Sequence, residues 1–282
     1  MSADLHCHTR ASDGSDTADE VVRMAKLRGL SAVAVTDHDT FAGVNEAVRS
    51  GEKYGIRVIP GAEISSVDAA TGRKAHVLCY ACESPGSLEE LCRTTCEARR
   101  RAGKAMLEKV LALYPISADM VLRRAEGSVS LYKQHIMHAL IDAGYANEIF
   151  GTVFHELFSP KGGKAYVRVE YPEVHDVIER IQRAGGLAVL AHPGEYDSYA
   201  LLGSLAASGL IDGVEVWHPR NREGDEPVFL QVAREHGLLM TGGTDFHGMY
   251  TKVPRPVGTC TTPDRQLKLL CAKAGGRTGN ES

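Results

Sequence analysis

The sequence predicts an α/β fold in which a parallel sheet or barrel is interrupted by a mainly helical insertion. Three observations predict it. Short apolar runs alternate with amphipathic stretches over residues 1–83 and again over 166–272, the rhythm of βα units. Residues 84–165 between them carry helical periodicity with no strand-like run. Histidines and carboxylates recur in or just past the ends of the strand-like runs, where a parallel barrel builds its sites.

The chain has 282 residues, enough for one large barrel with an insertion. Hydrophobic residues make up 43% and charged residues 24%, an ordinary globular balance. A formal net charge of −4 provides no field for a long nucleic acid. No apolar run reaches the ~18 residues of a membrane span, and no secretory leader is visible, so a cytoplasmic enzyme is expected. The seven cysteines form no disulfide pattern. Cys79, Cys82, Cys92 and Cys96 have a spacing at which four thiolates could hold zinc. Cys79 lies in an apolar run, however, and Cys92 and Cys96 fall one helical turn apart, so buried free thiols are expected.

The first strand carries Asp4-Leu5-His6-Cys7-His8. Residues two apart on a strand share a face, so His6 and His8 form half a metal site, and Asp13 follows on a Ser-Asp-Gly turn. Residues 17–30 read as a helix capped by Asp16 or Thr17 and stopped by Gly29. Residues 32–36 form a buried strand ending in Asp37-His38-Asp39. A helix over 41–54 closes at Gly55, a strand over 57–64 brings Glu63, and a strand over 74–80 contains His76. Ser87 and Glu90 are spaced as a capping box for a helix reaching about Leu113, and helical patterns follow at 117–125, 135–143 and 151–158.

The βα rhythm then resumes. A helix over 171–184 precedes a strand over 186–191 ending in His192-Pro193. A strand over 213–217 ends in His218-Pro219, a helix covers 227–236, and a last strand over 238–241 precedes Thr244-Asp245-Phe246-His247. Residues 273–282 are polar and are expected to be a disordered tail.

Nine residues recur in these positions: His6, His8, Asp13, His38, Glu63, His76, His192, Asp245 and His247. All are imidazoles or carboxylates, ligands that suit Mn, Zn or Fe equally. At about three protein ligands per ion, nine imply two or three divalent metals.

Four elements together, Asp4-Leu-His-Cys-His8 with Ser-Asp-Gly, Thr36-Asp-His-Asp39, Ala191-His-Pro193 and Thr244-Asp-Phe-His247, resemble the PHP (polymerase and histidinol phosphatase) family of metal-dependent phosphoesterases. The resemblance spans about residues 3–260 and includes Gly61-Ala-Glu63 and the His76 strand. It implies a distorted (β/α)7, TIM-like barrel with a trinuclear site. His6, His8, Glu63 and Asp245 would hold one metal. Glu63, His76 and His192 would hold a second, with Glu63 bridging. Asp13, His38 and His247 would hold a third.

The insertion resembles that of the stand-alone subgroup with 3′,5′-nucleoside bisphosphate phosphatases and related exoribonucleases, and by that resemblance it caps the active site. That subgroup's Gly-Arg-Pro-His segment is matched here by Tyr132-Lys133-Gln134-His135. Lys133 keeps the charge without the bidentate fork, and His135 is expected near the site. Of Arg99, Arg100 and Arg101, Arg100 is the expected second phosphate contact, the other two lying on a solvated helix face. His138, His155, His175 and His236 read as ordinary helix or loop residues. His218 is expected as a proton donor or a residue behind the metals, and Asp37 and Asp39 as partners that orient His38.

The implied activity is hydrolysis of a small phosphomonoester by water whose pKa the metals lower from 15.7 towards ~7. Nucleoside 3′,5′-bisphosphate leads, losing its 3′-phosphate, and short 5′-phosphorylated oligonucleotide ends are allowed. Histidinol-phosphate-type or cyclic-phosphate hydrolysis are the alternatives, and a metal-loaded binding module without turnover is the rival of a different class.

Overall fold

A computed structural model of the chain describes residues 2–82 and 86–278. The first half builds β1 (Ser2–Asp4), α1 (Ala18–Leu27), β2 (Ala32–Val35), α2 (Val44–Tyr54), β3 (Arg57–Val67) and β4 (Lys74–Tyr80). Thr17 caps α1 through a capping box with Glu20, and Gly55 ends α2 in the left-handed conformation. The strands β1, β2 and β3 are parallel. β4 runs antiparallel to β3, returning through a tight turn in which Asp68 accepts from Ala70 N (3.0 Å) and Thr71 Oγ1 (2.6 Å). Residues 68–73 are too few for the dozen or so that a parallel crossover needs, so the chain must turn back. The sequence reading of uniformly parallel strands fails here.

Helices then take over as α3 (Gly86–Leu113), α4 (Ala118–Arg124), α5 (Lys133–Asp142) and α6 (Thr152–Phe158). They share a core of Met106, Val110, Val121, Ile136, Leu140 and Phe158. The Ser87 side chain, and with it the expected capping box to Glu90, lies outside the described residues.

The second half contains α7 (Val174–Arg183), β5 (Leu187–Leu190), α8 (Tyr199–Ala207), β6 (Gly213–Trp217), α9 (Asp225–Glu235), β7 (Leu239–Gly242), β8 (Thr262–Pro263) and α10 (Asp264–Thr278). α7 begins three residues later than expected, with Glu173 capping through His175 N at 2.6 Å. The residue before Pro172 is biased to extended backbone. α8 is uniformly apolar (Tyr-Ala-Leu-Leu-Gly-Ser-Leu-Ala-Ala) and shows no amphipathic stripe, which hides it from a periodicity reading. The expected disordered tail is helical through Thr278, because α10 buries Leu267 and Leu270 against Ala3, Leu187 and Leu239. Residues 279–282 lie outside the described residues.

The strand order is β7-β6-β5-β4-β3-β2-β1-β8. The barrel closes beyond the end of β1, where His8 N donates to Phe246 O (2.8 Å) and Leu5 N to Gly242 O (3.3 Å). A Cβ at Gly243 would collide with the His6 backbone, so only glycine permits this seam. His6 and His8 sit past the strand on extended chain, yet Cys7 between them packs outward with Val22 and Val33. Among the described residues no helix is long and apolar enough to cross a membrane.

Candidate active site

The nine residues come together in overlapping groups whose ligand atoms lie within 4.8 Å of one another. Four of them make a tight set. His6 Nε2 and His8 Nε2 are 3.2 Å apart, Glu63 Oε2 is 3.3 and 3.2 Å from them, and Asp245 Oδ1 is 3.6 and 3.2 Å from them. Four N/O ligands around an ion at ~2.05 Å would be separated by about 3.3 Å along each tetrahedral edge, so the spacing fits a divalent ion.

Glu63 faces two ways. Its Oε1 lies 2.8 Å from His76 Nδ1 and 2.8 Å from His192 Nε2, while Oε2 lies 3.1 Å from His38 Nδ1. Because β4 is reversed, His76 reaches this rim from the start of its strand rather than its end. Asp13 Oδ1 approaches His247 Nε2 at 3.3 Å and His38 Nε2 at 4.0 Å. His8 Nδ1, His38 Nδ1, His192 Nδ1 and His218 Nε2 are buried without hydrogen-bond geometry to any neighbour. Each of these nitrogens faces a different carboxylate, Asp13 (3.7 Å), Glu63 (3.1 Å), Glu195 (3.7 Å) and Asp245 (3.4 Å) in turn, in an arrangement suited to holding cations.

The electrostatics agree. Burial opposes ionisation of Glu63, yet the His76, His38 and His6 rings hold its carboxyl well below the usual range. Asp13 is lowered too, burial being outweighed by His247 and His38. Burial alone would lower His8, but hydrogen bonding to Asp245 and Glu63 lifts it to about 10, and His192 rises to about 9 against burial through Glu63 and Glu195. His38 falls well below its ordinary value through burial and so keeps its lone pair. A metal-free cluster therefore holds protons that a divalent ion displaces.

Several partners differ from the sequence reading. Asp37 does not orient His38; it accepts from Thr9 N (2.8 Å), Thr9 Oγ1 (2.7 Å) and Ser12 Oγ (2.5 Å), fixing the loop that presents Asp13. Asp39 pairs with Arg99 Nη2 at 2.7 Å, out of line for a hydrogen bond, and accepts from Ser65 N at 2.8 Å. Glu215, which sequence reading missed, takes His6 Nδ1 at 2.9 Å and His192 N at 2.9 Å. Its signal was a lone carboxylate inside an apolar strand.

A cavity of about 390 Å³ opens over the cluster. The helical segment supplies part of its wall: Lys133 lines it, and Gln134 Nε2 donates to Asp13 Oδ2 at 2.9 Å. His135 turns away from the cavity, its Nδ1 accepting from Tyr132 N at 3.3 Å to cap α5. Arg100 is exposed and off the cavity, and Arg99 is the one of the three on its wall. Successive helical residues point 100° apart, so only one of the three can face in. Arg99 also meets Ser65 Oγ (3.0 Å) and Tyr132 Oη (3.1 Å).

His218 lies behind Asp245, 3.4 Å from its Oδ2, and is not on the cavity wall. Its place suits a residue behind the metals better than a proton donor to substrate. Lys74, Glu195, Tyr196 and Arg220 complete the wall without having been anticipated. Arg220 pairs with Glu195 and lies 3.5 Å from Asp245 Oδ2. Glu195 and Arg220 stand three and two residues past His192 and His218, a position that could have flagged them. None of the cysteines is in a disulfide, and among the described residues none joins a group able to hold a metal.

A barrel with a buried set of imidazole and carboxylate donors on one rim, under a cavity bearing cations, defines a hydrolase built for metal-assisted chemistry. The PHP domain profile matches residues 4–186, and the chain belongs to that family. It is 38% identical over 256 residues to the phosphoribosyl 1,2-cyclic phosphate 1,2-diphosphodiesterase of Eggerthella lenta, covering 90% of this chain and 97% of that one. It is 30% identical to the 3′,5′-nucleoside bisphosphate phosphatase of Chromobacterium violaceum, covering 86% of each. A solved structure from Bifidobacterium adolescentis, described as a candidate metal-dependent phosphoesterase, superposes with a TM-score of 0.88 at 34% identity over 96% of both chains. The chain is thus a phosphoesterase, a hydrolase of phosphoric esters.

Proposed function

We propose that this phosphoesterase acts on a small substrate with two phosphate groups, and that its substrate is a pentose 5-phosphate carrying a 1,2-cyclic phosphate. The observation that carries the first part is one cavity of about 390 Å³ holding the ligand cluster together with Lys74, Arg99, Lys133 and Arg220. A reacting phosphoryl group at the cluster leaves these cations for a second phosphate. The sugar cyclic phosphate is supported by 38% identity to the Eggerthella relative, against 30% to the bisphosphate phosphatase. Two waters balance the reaction. The first opens one P–O ester of the cyclic phosphate to a monoester, and the second releases that group as inorganic phosphate, leaving the pentose 5-phosphate.

Bound divalent ions, held by His6, His8, Asp13, His38, Glu63, His76, His192, Asp245 and His247, would supply Lewis acidity and activate water. The chain's own residues then do the rest. Gln134 holds Asp13 in place. Arg220, between Glu195 and Asp245, faces the cavity as a neutralising charge. Lys133 is lowered to about 8 by burial and by neighbouring Lys74, and still carries its charge at neutral pH.

A nucleoside 3′,5′-bisphosphate is the second reading, favoured by the Tyr132, Phe154 and Tyr171 rings on the cavity wall, which suit a base. The experiment is phosphate release by Mn-loaded protein from phosphoribosyl 1,2-cyclic phosphate, adenosine 3′,5′-bisphosphate, AMP, histidinol phosphate and a short 5′-phosphorylated RNA. Preference for the cyclic sugar phosphate supports the first reading. Preference for the bisphosphate replaces it with the second, and release from none, with metals verified in place, rejects both.

A further inference from the structure

We infer that Glu215 is a positioning residue that sets the ligand atoms of two different ion sites at once. The inference rests on the metal reading above. Glu215 sits in the middle of β6 and is fully buried, while its neighbours Val214 and Val216 pack outward with Phe229 and Leu202. A carboxylate in that position needs partners on both oxygens. It has two, and both belong to the cluster: Oε1 takes His6 Nδ1 at 2.9 Å, and Oε2 accepts from His192 N at 2.9 Å.

The first contact fixes a tautomer. A carboxylate only accepts, so His6 must carry its proton on Nδ1. Nε2 is then the nitrogen left to bind an ion, and it faces His8 Nε2, Glu63 Oε2 and Asp245 Oδ1 at 3.2, 3.3 and 3.6 Å. The second contact fixes a backbone. His192 has φ +25°, a conformation strained for a residue with a Cβ, and the bond to its N–H holds it there. Its Nε2 is thereby placed 2.8 Å from Glu63 Oε1. The two rings stack with centroids 5.6 Å apart and planes at 19°. His6, Glu215 and His192 could themselves group around an ion. The hydrogen-bond geometry between His6 Nδ1 and Glu215, with His6 Nε2 already facing the other set, assigns Glu215 to orientation.

Glu215→Gln is the test because it keeps the shape and halves the acceptors. An amide accepts from one N–H and must turn its own N–H₂ toward the other. Metal content is measured by elemental analysis, Zn affinity by chelator competition, and imidazole tautomers by ¹⁵N spectra of the loaded protein. The expected result is binding about 10–100-fold weaker at the ions using His6 and His192, with loss of the His6 Nδ1–H signal. The ion held by Asp13, His38 and His247 should bind unchanged. Unaltered affinities and tautomer overturn the inference, and so does equal weakening of every ion, which marks a structural role. If the Gln variant does not fold, Glu215→Asp decides: it keeps the charge but falls short by a methylene, and wild-type affinity there overturns the inference too. Wild-type protein that takes up no metal refutes the metal reading instead.

Discussion

Arg99 and Arg100 are adjacent in sequence and have opposite fates, so replacing each by methionine gives a sharp contrast. Arg99 is 6% exposed and pairs with Asp39, itself 1% exposed. Its guanidinium also meets Ser65 Oγ and Tyr132 Oη and lies over the Tyr132 ring at 4.9 Å. Arg99→Met keeps the apolar stem but leaves the Asp39 carboxylate buried with, among the described residues, only the Ser65 N–H as hydrogen-bond donor. Breaking a buried pair from one side costs about 3–5 kcal/mol. Arg100→Met changes an exposed side chain and should stay within about 0.5 kcal/mol. Urea unfolding followed by circular dichroism measures both. In an Asp39→Asn background no charge is stranded, and the Arg99→Met cost should fall by more than ~1 kcal/mol. Turnover should follow, with kcat/KM down on the order of 10–100-fold for Arg99→Met, the value of one charged hydrogen bond. Equal costs at 99 and 100, or a cost at 99 indifferent to Asp39, would refute the reasoning.

Other expectations follow from the same geometry. Lys133, lowered to about 8, loses its charge as pH rises through that value, so KM should climb between pH 7 and 9 while Lys133→Arg stays flat. The unfolded chain keeps this lysine protonated to about 10.4, so its contribution to stability rises with pH across that interval; a flat wild-type KM profile refutes the assignment. Metal uptake at pH 7 should release protons, because His8 at about 10 and His192 at about 9 hold them in the metal-free state; a pH-indicator titration showing no release contradicts this. Saturating metal should also stabilise the fold by about 2.7 kcal/mol at 100 Kd, read as a rise in Tm that a chelator reverses. Gly243→Ala should disrupt the seam beside His6, lowering both Tm and metal content. Tyr80→Phe, which removes the 2.7 Å hydrogen bond to Leu5 O, should cost about 1–3 kcal/mol in urea unfolding.

What the sequence revealed and what it hid divide along physical lines. The ligand positions were legible because short apolar runs ending in His or a carboxylate mark one rim, as at Val35 before His38 and Leu190 before His192. Direction along the sheet was not, since β4 looks like any buried strand; only the brevity of residues 68–73 betrays its reversal. Arg99 was separable from Arg100 by helical phase, since it shares one face of α3 with Thr95, Ala102 and Met106, all buried, while Arg100 points about 100° away; a run of three identical cations hides that phase. Partners that meet only across the barrel, such as Glu215 with His6 or Asp37 with Thr9, have no local signature.

The reversal of β4 also decides how the helical segment is attached. Tyr80 ends its strand opposite Leu187, where β5 starts, on the rim away from the ligands. The helical segment rejoins the barrel at Glu173, which bridges to Val67 on the ligand rim. Between Gly86 and Arg99, α3 climbs roughly 20 Å at 1.5 Å per residue. The segment's departure and return points thus lie on opposite rims of the barrel. Shortening its outer helices leaves the scaffold's path intact, but excising the whole segment removes a staircase that the barrel's own connectivity requires.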